Sequence, residues 1–184
     1  MSLTYSNMLP LGTKIPSFNL PNVLTGNNFS SDSLSSDSGK IIMFICNHCP
    51  YVIHYHDEII NLFDEYSKKN LEFVAISSND VENYAQDSPE NMKILFNDLG
   101  LTIPYLYDET QEIAKNYMAE CTPEFYLFDN NDLLIYRGRL DDSSPGNGRP
   151  ITGENLRSAI ENFLSGNPID KYQNPSMGCN IKWK

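Results

Sequence analysis

The run IIMFI, residues 41–45, is β-branched and aromatic with no charge anywhere in it. A strand that is apolar on every side chain must be covered on both faces, so the chain needs a central sheet with layers above and below it. The run passes straight into Cys46-Asn47-His48-Cys49-Pro50. Beyond it Val52, Ile53, His56, Ile59, Ile60 and Phe63 recur at helical spacing, with Asp57, Glu58, Asp64 and Glu65 on the other side. That periodicity predicts a helix of roughly four turns or more. Pro50 fits in its first turn, where a missing N–H costs nothing.

LEFVAIS, residues 71–77, supplies a second buried strand, which a right-handed crossover sets parallel to the first. SPENMKILFNDLG predicts a helix from Pro89 that stops at Gly100, and IPYLY a short third strand. DETQEIAKNYM predicts a helix capped by Asp108 or Thr110. EFYLFDNNDLLIYRGRL alternates about Asn130-Asn131 as an antiparallel hairpin, and residues 153–166 form a last amphipathic helix closed by Gly166. Residues 1–40 read as short strands and turns with a hairpin around Gly26. The tail, residues 167–184, has no clear period, but Ile181 and Trp183 are apolar enough to dock. This order predicts one α/β domain over residues 1–184, with a central mixed sheet flanked by helices.

At 184 residues the chain is long enough to bury one sizeable core. Its formal net charge of −11 repels phosphate backbones, and its 13 basic residues do not cluster, so no nucleic-acid partner is expected. No apolar run is long enough to cross a bilayer. The stretch before Phe18 carries a single lysine and no apolar core of leader length. No membrane partner is therefore expected, and a cytoplasmic location is. In a reducing compartment the four cysteines point to catalytic, metal-binding or buried thiols rather than to a disulfide framework.

Cys46 and Cys49 stand at the predicted strand-to-helix junction. A cysteine there meets the free N–H groups and positive end of the helix dipole, which favour thiolate over thiol. Cys46 is the junction residue in this reading. Cys49, one turn on and deeper, is placed to resolve a mixed disulfide formed at Cys46. His48, between them, either adds positive charge near Cys46 when protonated or simply faces solvent. C-x-x-C spacing also serves metals, but inside a β-α-β pattern it reads as a redox pair. Thr122-Pro123, immediately before a predicted strand, suggests a cis peptide beside the thiols, with a trans turn proline as the alternative.

Strand, C-x-x-C, helix, a later Thr-Pro entering a hairpin and a closing helix together resemble the thioredoxin superfamily. GTKIPSFNLPNV resembles the opening of peroxiredoxins and related redoxins. FICNHCPYV, SSNDVENYAQDSPENM, YLYDETQEIAKNYMAECTPEFYLFD, YRGRLDDSSPGNGRPITG and the ending GCNIKWK are similar to a peroxiredoxin-like group within it. The resemblance implies a thioredoxin-like fold with an N-terminal hairpin extension, Cys46 as attacking thiol, Cys49 as resolving thiol and Pro123 as a cis-proline facing them. It also implies a thiol–disulfide oxidoreductase that needs no cofactor. Its partners would be a disulfide-containing protein or a small thiol or peroxide, together with a cellular thiol reductant. One departure weakens the peroxidase alternative. Peroxiredoxins carry Pro and Thr seven and three positions before the peroxidatic cysteine; those positions hold Gly39 and Met43 before Cys46, and Ile42 and Cys46 before Cys49.

In such a fold Cys121, two residues before Pro123, approaches the pair, either trading disulfides with Cys46 or packing as a small apolar residue. Cys179 in the tail either reaches the same site, bonds a partner or packs. The rival to redox chemistry is a metal site built from Cys46, Cys49, Cys121 and His54 or His56, although His56 falls on the apolar helix face. A binding domain that keeps the fold without turnover is the third class. Arg137 and Arg139 read as a surface hairpin pair. Residues 141–150 read as a loop near the site rim in which Asp141 and Asp142 have no catalytic role.

Overall fold

The computed structural model describes residues 3–35 and 37–184. Met1, Ser2 and Ser36, part of the stretch read as short strands and turns, lie outside the described residues. The first half of the chain forms β1 (Leu3–Tyr5), β2 (Asn19–Pro21), β3 (Asn28–Ser30), β4 (Gly39–Phe44), α1 (Pro50–His54), α2 (His56–Tyr66), β5 (Leu71–Ser77) and α3 (Pro89–Asp98). The second half forms β6 (Tyr105–Tyr107), α4 (Glu112–Asn116), β7 (Cys121–Thr122), β8 (Glu124–Phe128), β9 (Leu134–Gly138), α5 (Glu154–Leu164) and β10 (Met177–Asn180).

β4 is the middle of a five-stranded sheet of order β6-β5-β4-β8-β9. It runs parallel to β5, from Gly39 opposite Leu71 to Phe44 opposite Ile76, and antiparallel to β8, from Lys40 opposite Phe128 to Phe44 opposite Glu124. All six of its residues are buried, and its side chains alternate between two cores. Ile41 and Met43 face α1, α2, α3 and α5 through Val52, Ile59, Leu62, Met92, Phe96, Leu156 and Ile160. Ile42 and Phe44 face α4 and the N-terminal segment through Ala114, Tyr117, Leu9 and Phe18. The sheet therefore has helices on both faces, as the uncharged run requires.

The strand begins two residues before that run and takes in Lys40, only 1% exposed. Its ammonium is neutralised by Asp132 at 2.8 Å and donates to the Asp129 carbonyl at 3.3 Å, so the buried charge is paired. The expected long helix is two. The chain leaves helical geometry at Tyr55 (φ −102°, ψ 3°), and the buried face runs through Val52, Tyr55, Ile59, Leu62 and Tyr66. Ile53, counted as apolar face in the sequence, is 51% exposed. Tyr55 sets the phase: its hydroxyl donates to Asp141 Oδ1 at 2.9 Å and the Ser143 carbonyl at 2.6 Å, which pulls its ring inward. The residue that caps α4 is Gln111, not the expected Asp108 or Thr110, which instead accept from the N–H groups of Ala114 and Glu112 just inside the helix.

The tail docks as a strand. β10 lies between β1 and β7 in a three-stranded antiparallel sheet, with Cys179 opposite both Leu3 and Thr122. Ile181 is buried, and the Lys182 N–H donates to Asn79 Oδ1 at 2.8 Å. Gly178 permits this approach, because a Cβ at that position would run into the Thr122 carbonyl. Gly178→Ala should therefore lower unfolding free energy by roughly 1–3 kcal/mol, the usual cost of overpacking. It should also speed alkylation of Cys49 beneath the strand. Denaturant titration and timed iodoacetamide labelling measure the two effects; unchanged stability with unchanged labelling would contradict the tight fit.

Candidate active site

After β4, Ile45 makes one last ladder bond to the Ile76 carbonyl at 3.0 Å. The chain then turns at Asn47 and His48 before Pro50 opens α1. One side chain from outside the loop holds that turn. Asp87, fully buried in the connection between β5 and α3, accepts from the Asn47 N–H at 2.8 Å and the His48 N–H at 3.3 Å. His48 Nδ1 lies 2.6 Å from its other oxygen, which also accepts from Asn79 Nδ2 at 2.8 Å. His48 stacks on Tyr84 with ring centroids 5.6 Å apart, so the ring is held rather than free in solvent.

On the opposite wall the Thr122-Pro123 peptide is cis. Thr122 Oγ1 is 3.4 Å from Cys46 Sγ, and the Cys49 thiol donates to the Thr122 carbonyl at 3.2 Å. All four cysteines are reduced and buried. Cys46 and Cys49 lie close enough to shift one another's ionisation, and Cys179 from β10 acts on Cys49 in the same way.

Cys49, not Cys46, is the residue that N-caps α1, because Pro50 takes the first helical position. The expectation that Cys46 occupies the helix start is corrected accordingly, and the charge distribution follows. When ionised, the Cys49 sulfur is ringed by donors: first the Cys179 thiol, then the Cys46 thiol, with the Thr122 hydroxyl and Val52 N–H adding to them. These hold it well below the ordinary thiol range despite burial. Cys46 is pushed well up, first by donating to Cys49, then by burial and by the nearby negative charge of Asp87. The arrangement thus favours ionisation at Cys49 over Cys46 and Cys179.

Cys121 does not approach the pair. It is next to Thr122 on a strand, so its side chain takes the opposite face, where its thiol donates to Glu124 Oε2 at 3.8 Å. Of the other proposed metal ligands, His54 Nε2 pairs with Ser143 Oγ at 2.9 Å. Burial pushes the His56 pKa down, and its Nε2 has no protein partner. The ligand set Cys46, Cys49, Cys121 and His54 or His56 is therefore not assembled. Among the described residues the one group of three with ligand atoms within 4.8 Å of one another is Cys46, His48 and Asp87. There the 2.6 Å between His48 and Asp87 is a hydrogen bond, shorter than the roughly 3.3 Å between two ligands tetrahedral about one zinc.

The loop after β9 does reach the rim. Asp141, 2% exposed, accepts from the N–H groups of Ser143, Thr152 and Gly153 as well as from Tyr55. It organises the loop instead of doing chemistry. A cleft of about 210 Å³, lined by Tyr5, Tyr55, Pro123, Arg139, Ser143 and Ser176 among others, flanks the cis-proline. Arg139 is anchored by Asn155 Oδ1 at 2.7 Å, and Arg137 by Gln173 at 2.8 Å.

Sequence reasoning missed Asp87. Its only signal is position, just beyond the carboxyl end of a central parallel strand, where open α/β sheets gather their functional groups.

The AhpC/TSA family matches residues 11–137. A solved structure of an uncharacterized conserved protein from Geobacillus kaustophilus is 53% identical, with a TM-score of 0.97 over 100% of this chain and 97% of that one. A hypothetical protein from Sinorhizobium meliloti 1021 is 38% identical, with a TM-score of 0.95 over 98% of both chains. A thiol:disulfide interchange protein of the thioredoxin family from Chlorobium tepidum TLS is 17% identical, with a TM-score of 0.63 over 85% of this chain and 99% of that one. Among curated proteins none matches. Mixed sheet, flanking helices and these neighbours define a thioredoxin-like fold. The chain belongs to the AhpC/TSA family of redoxins.

Two outcomes test the electrostatics. Asp87→Asn removes the negative charge beside Cys46, so the pH at which Cys46 becomes alkylated, followed by mass spectrometry, should fall; an unmoved profile would mean that Asp87 does not act on that thiol. Glu124, fully buried beside Cys121, has its carboxyl pushed up to about 7, chiefly by burial. Between the ordinary value of 4.5 and about 7 the folded state binds the proton that the unfolded state has lost, so stability falls as pH rises. Glu124→Gln should remove that decline, worth up to roughly 3 kcal/mol, from urea titrations at pH 5 and pH 8.

Proposed function

We propose that the protein is a thiol–disulfide oxidoreductase whose working dithiol is Cys46 and Cys49. The observation that carries this reading is the approach of both thiols to Thr122, Cys46 at 3.4 Å from its hydroxyl and Cys49 at 3.2 Å from its carbonyl, at the ends of adjacent central strands. Cys49 lies beneath β10, whereas Cys46 borders the partly exposed Asn47–His48 turn, so Cys46 is the thiol that meets substrate. As Cys46 attacks a disulfide R–S–S–R′, its proton passes to the Cys49 thiolate. The Cys46–S–S–R bond forms while R′–S⁻ leaves. Cys49 then loses its proton and attacks Cys46 Sγ. The Cys46–Cys49 disulfide forms, the second substrate thiol is released, and a cellular thiol reductant restores the dithiol.

His48 and Asp87 position the turn that carries Cys46, and Pro123 and Thr122 form the wall facing both sulfurs. The cleft beside Pro123 offers room for the rest of a disulfide substrate, in a protein or a small molecule. We place this activity in the cytoplasm, where reductant is plentiful. The reading needs no cofactor.

Peroxide reduction is the second reading, favoured by family membership and by the donor ring around Cys49. Met43 offers no hydroxyl where peroxiredoxins have one, so turnover of hydrogen peroxide should be slow. Fast peroxide consumption through a sulfenic acid would promote this reading over the first.

The deciding experiment is exchange with a chromogenic aromatic disulfide. Cys46→Ser should abolish turnover, and Cys49→Ser should accumulate a mixed disulfide on Cys46, seen as the added mass on the intact protein. Full activity in Cys46→Ser would overturn the assignment; a mixed disulfide trapped on Cys49 of that variant would reverse the roles.

A further inference from the structure

The dithiol reading uses two of the four cysteines, and the fold brings a third to them. β10 sets Cys179 opposite Thr122, the residue whose carbonyl accepts from Cys49 and whose hydroxyl meets Cys46. Cys46 and Cys179 both lie close enough to Cys49 to shift its ionisation, and α1 packs directly on β10. The three sulfurs do not close into a triangle of ligating distance, since Cys46, His48 and Asp87 are the group of three within 4.8 Å among the described residues. Cys49 is thus the sulfur that neighbours both of the others. Disulfide exchange needs that arrangement, with attacking, central and leaving sulfurs in sequence. Cys121 is excluded by its orientation toward Glu124.

Resting on the dithiol reading, we propose that Cys179 is a third redox thiol that takes over the disulfide from Cys46. In the oxidised site the Cys179 sulfur attacks Cys49 Sγ. The Cys46–Cys49 bond breaks, a Cys49–Cys179 bond forms, and the proton lost by Cys179 is taken up by the departing Cys46 sulfur. No electrons enter or leave the protein in this step. While Cys49 is ionised, the hydrogen bond from Cys179 to it, together with burial, keeps the Cys179 proton in place. Once Cys49 is tied in a disulfide, its charge and its hydrogen bond no longer hold that proton, and the nearby Lys182 charge lowers the Cys179 thiol against the burial that remains. The exchange returns Cys46 to a thiol at the Asn47–His48 turn and links β10 covalently to the start of α1. An external thiol then reduces Cys49–Cys179.

The test is disulfide mapping after equilibration of the parent, Cys46→Ser and Cys46→Ala proteins in graded glutathione buffers, with remaining thiols alkylated before digestion. The parent should contain both Cys46–Cys49 and Cys49–Cys179 peptides. Both variants should convert most of their Cys49 to Cys49–Cys179, with two variants guarding against one that folds poorly. If Cys49 in the variants ends as a glutathione mixed disulfide with Cys179 alkylated, while the parent still forms Cys46–Cys49, the relay is overturned and the dithiol reading stands. If the parent forms no Cys46–Cys49 disulfide, the dithiol reading fails and the relay fails with it.

Discussion

Everything at the site depends on β4 being buried on both faces between β5 and β8. The central strand delivers the two cysteines at its carboxyl end. Its parallel neighbour β5 leads into the connection that holds Asp87, and its antiparallel neighbour β8 begins immediately after Thr122 and Pro123. Adjacent strands lie about 4.8 Å apart, so three separate stretches of chain converge on one spot without any local instruction to do so. The pairing of Lys40 with Asp132 belongs to the same constraint, because a lysine can be buried in such a strand only with a partner for its charge.

Within that frame one anion organises the turn and the thiols divide a second charge. Asp87 spends its oxygens on two backbone N–H groups, His48 and Asn79, which fixes the loop geometry and leaves a negative neighbour for Cys46. Ionisation of the thiols is favoured at Cys49, where donors from β10, from the β7 wall and from the start of α1 meet. Both active-site sulfurs also meet Thr122, Cys46 through its hydroxyl at 3.4 Å and Cys49 through its carbonyl at 3.2 Å.

The order of strands and helices, the parallel β4 and β5, the hairpin of β8 and β9 and the cis peptide at Thr122-Pro123 were legible in the sequence. Each rests on local periodicity or on spacing. What was not legible depends on partners distant in the chain. The phase of α1 and α2 turns on Tyr55, whose hydroxyl partner lies 86 residues away. Cys121 looked closer to the pair than Cys179 did, yet strand alternation turns Cys121 away and strand pairing brings Cys179 in. Asp87 was hidden by the stronger local signal of the Ser88-Pro89 helix start beside it. The helix start assigned to Cys46 belongs to Cys49, because the pull of Asp87 on residues 47 and 48 keeps them out of the helix.

The strand that covers Cys49 is drawn from residues 177–180, long after the cysteines themselves. That lid is a paired strand and not a loose loop, held by β1 on one edge and by β7 on the other. Reaching Cys49 from that side therefore means breaking ladder hydrogen bonds, so access to the deeper sulfur is governed by how often that strand lets go of its neighbours.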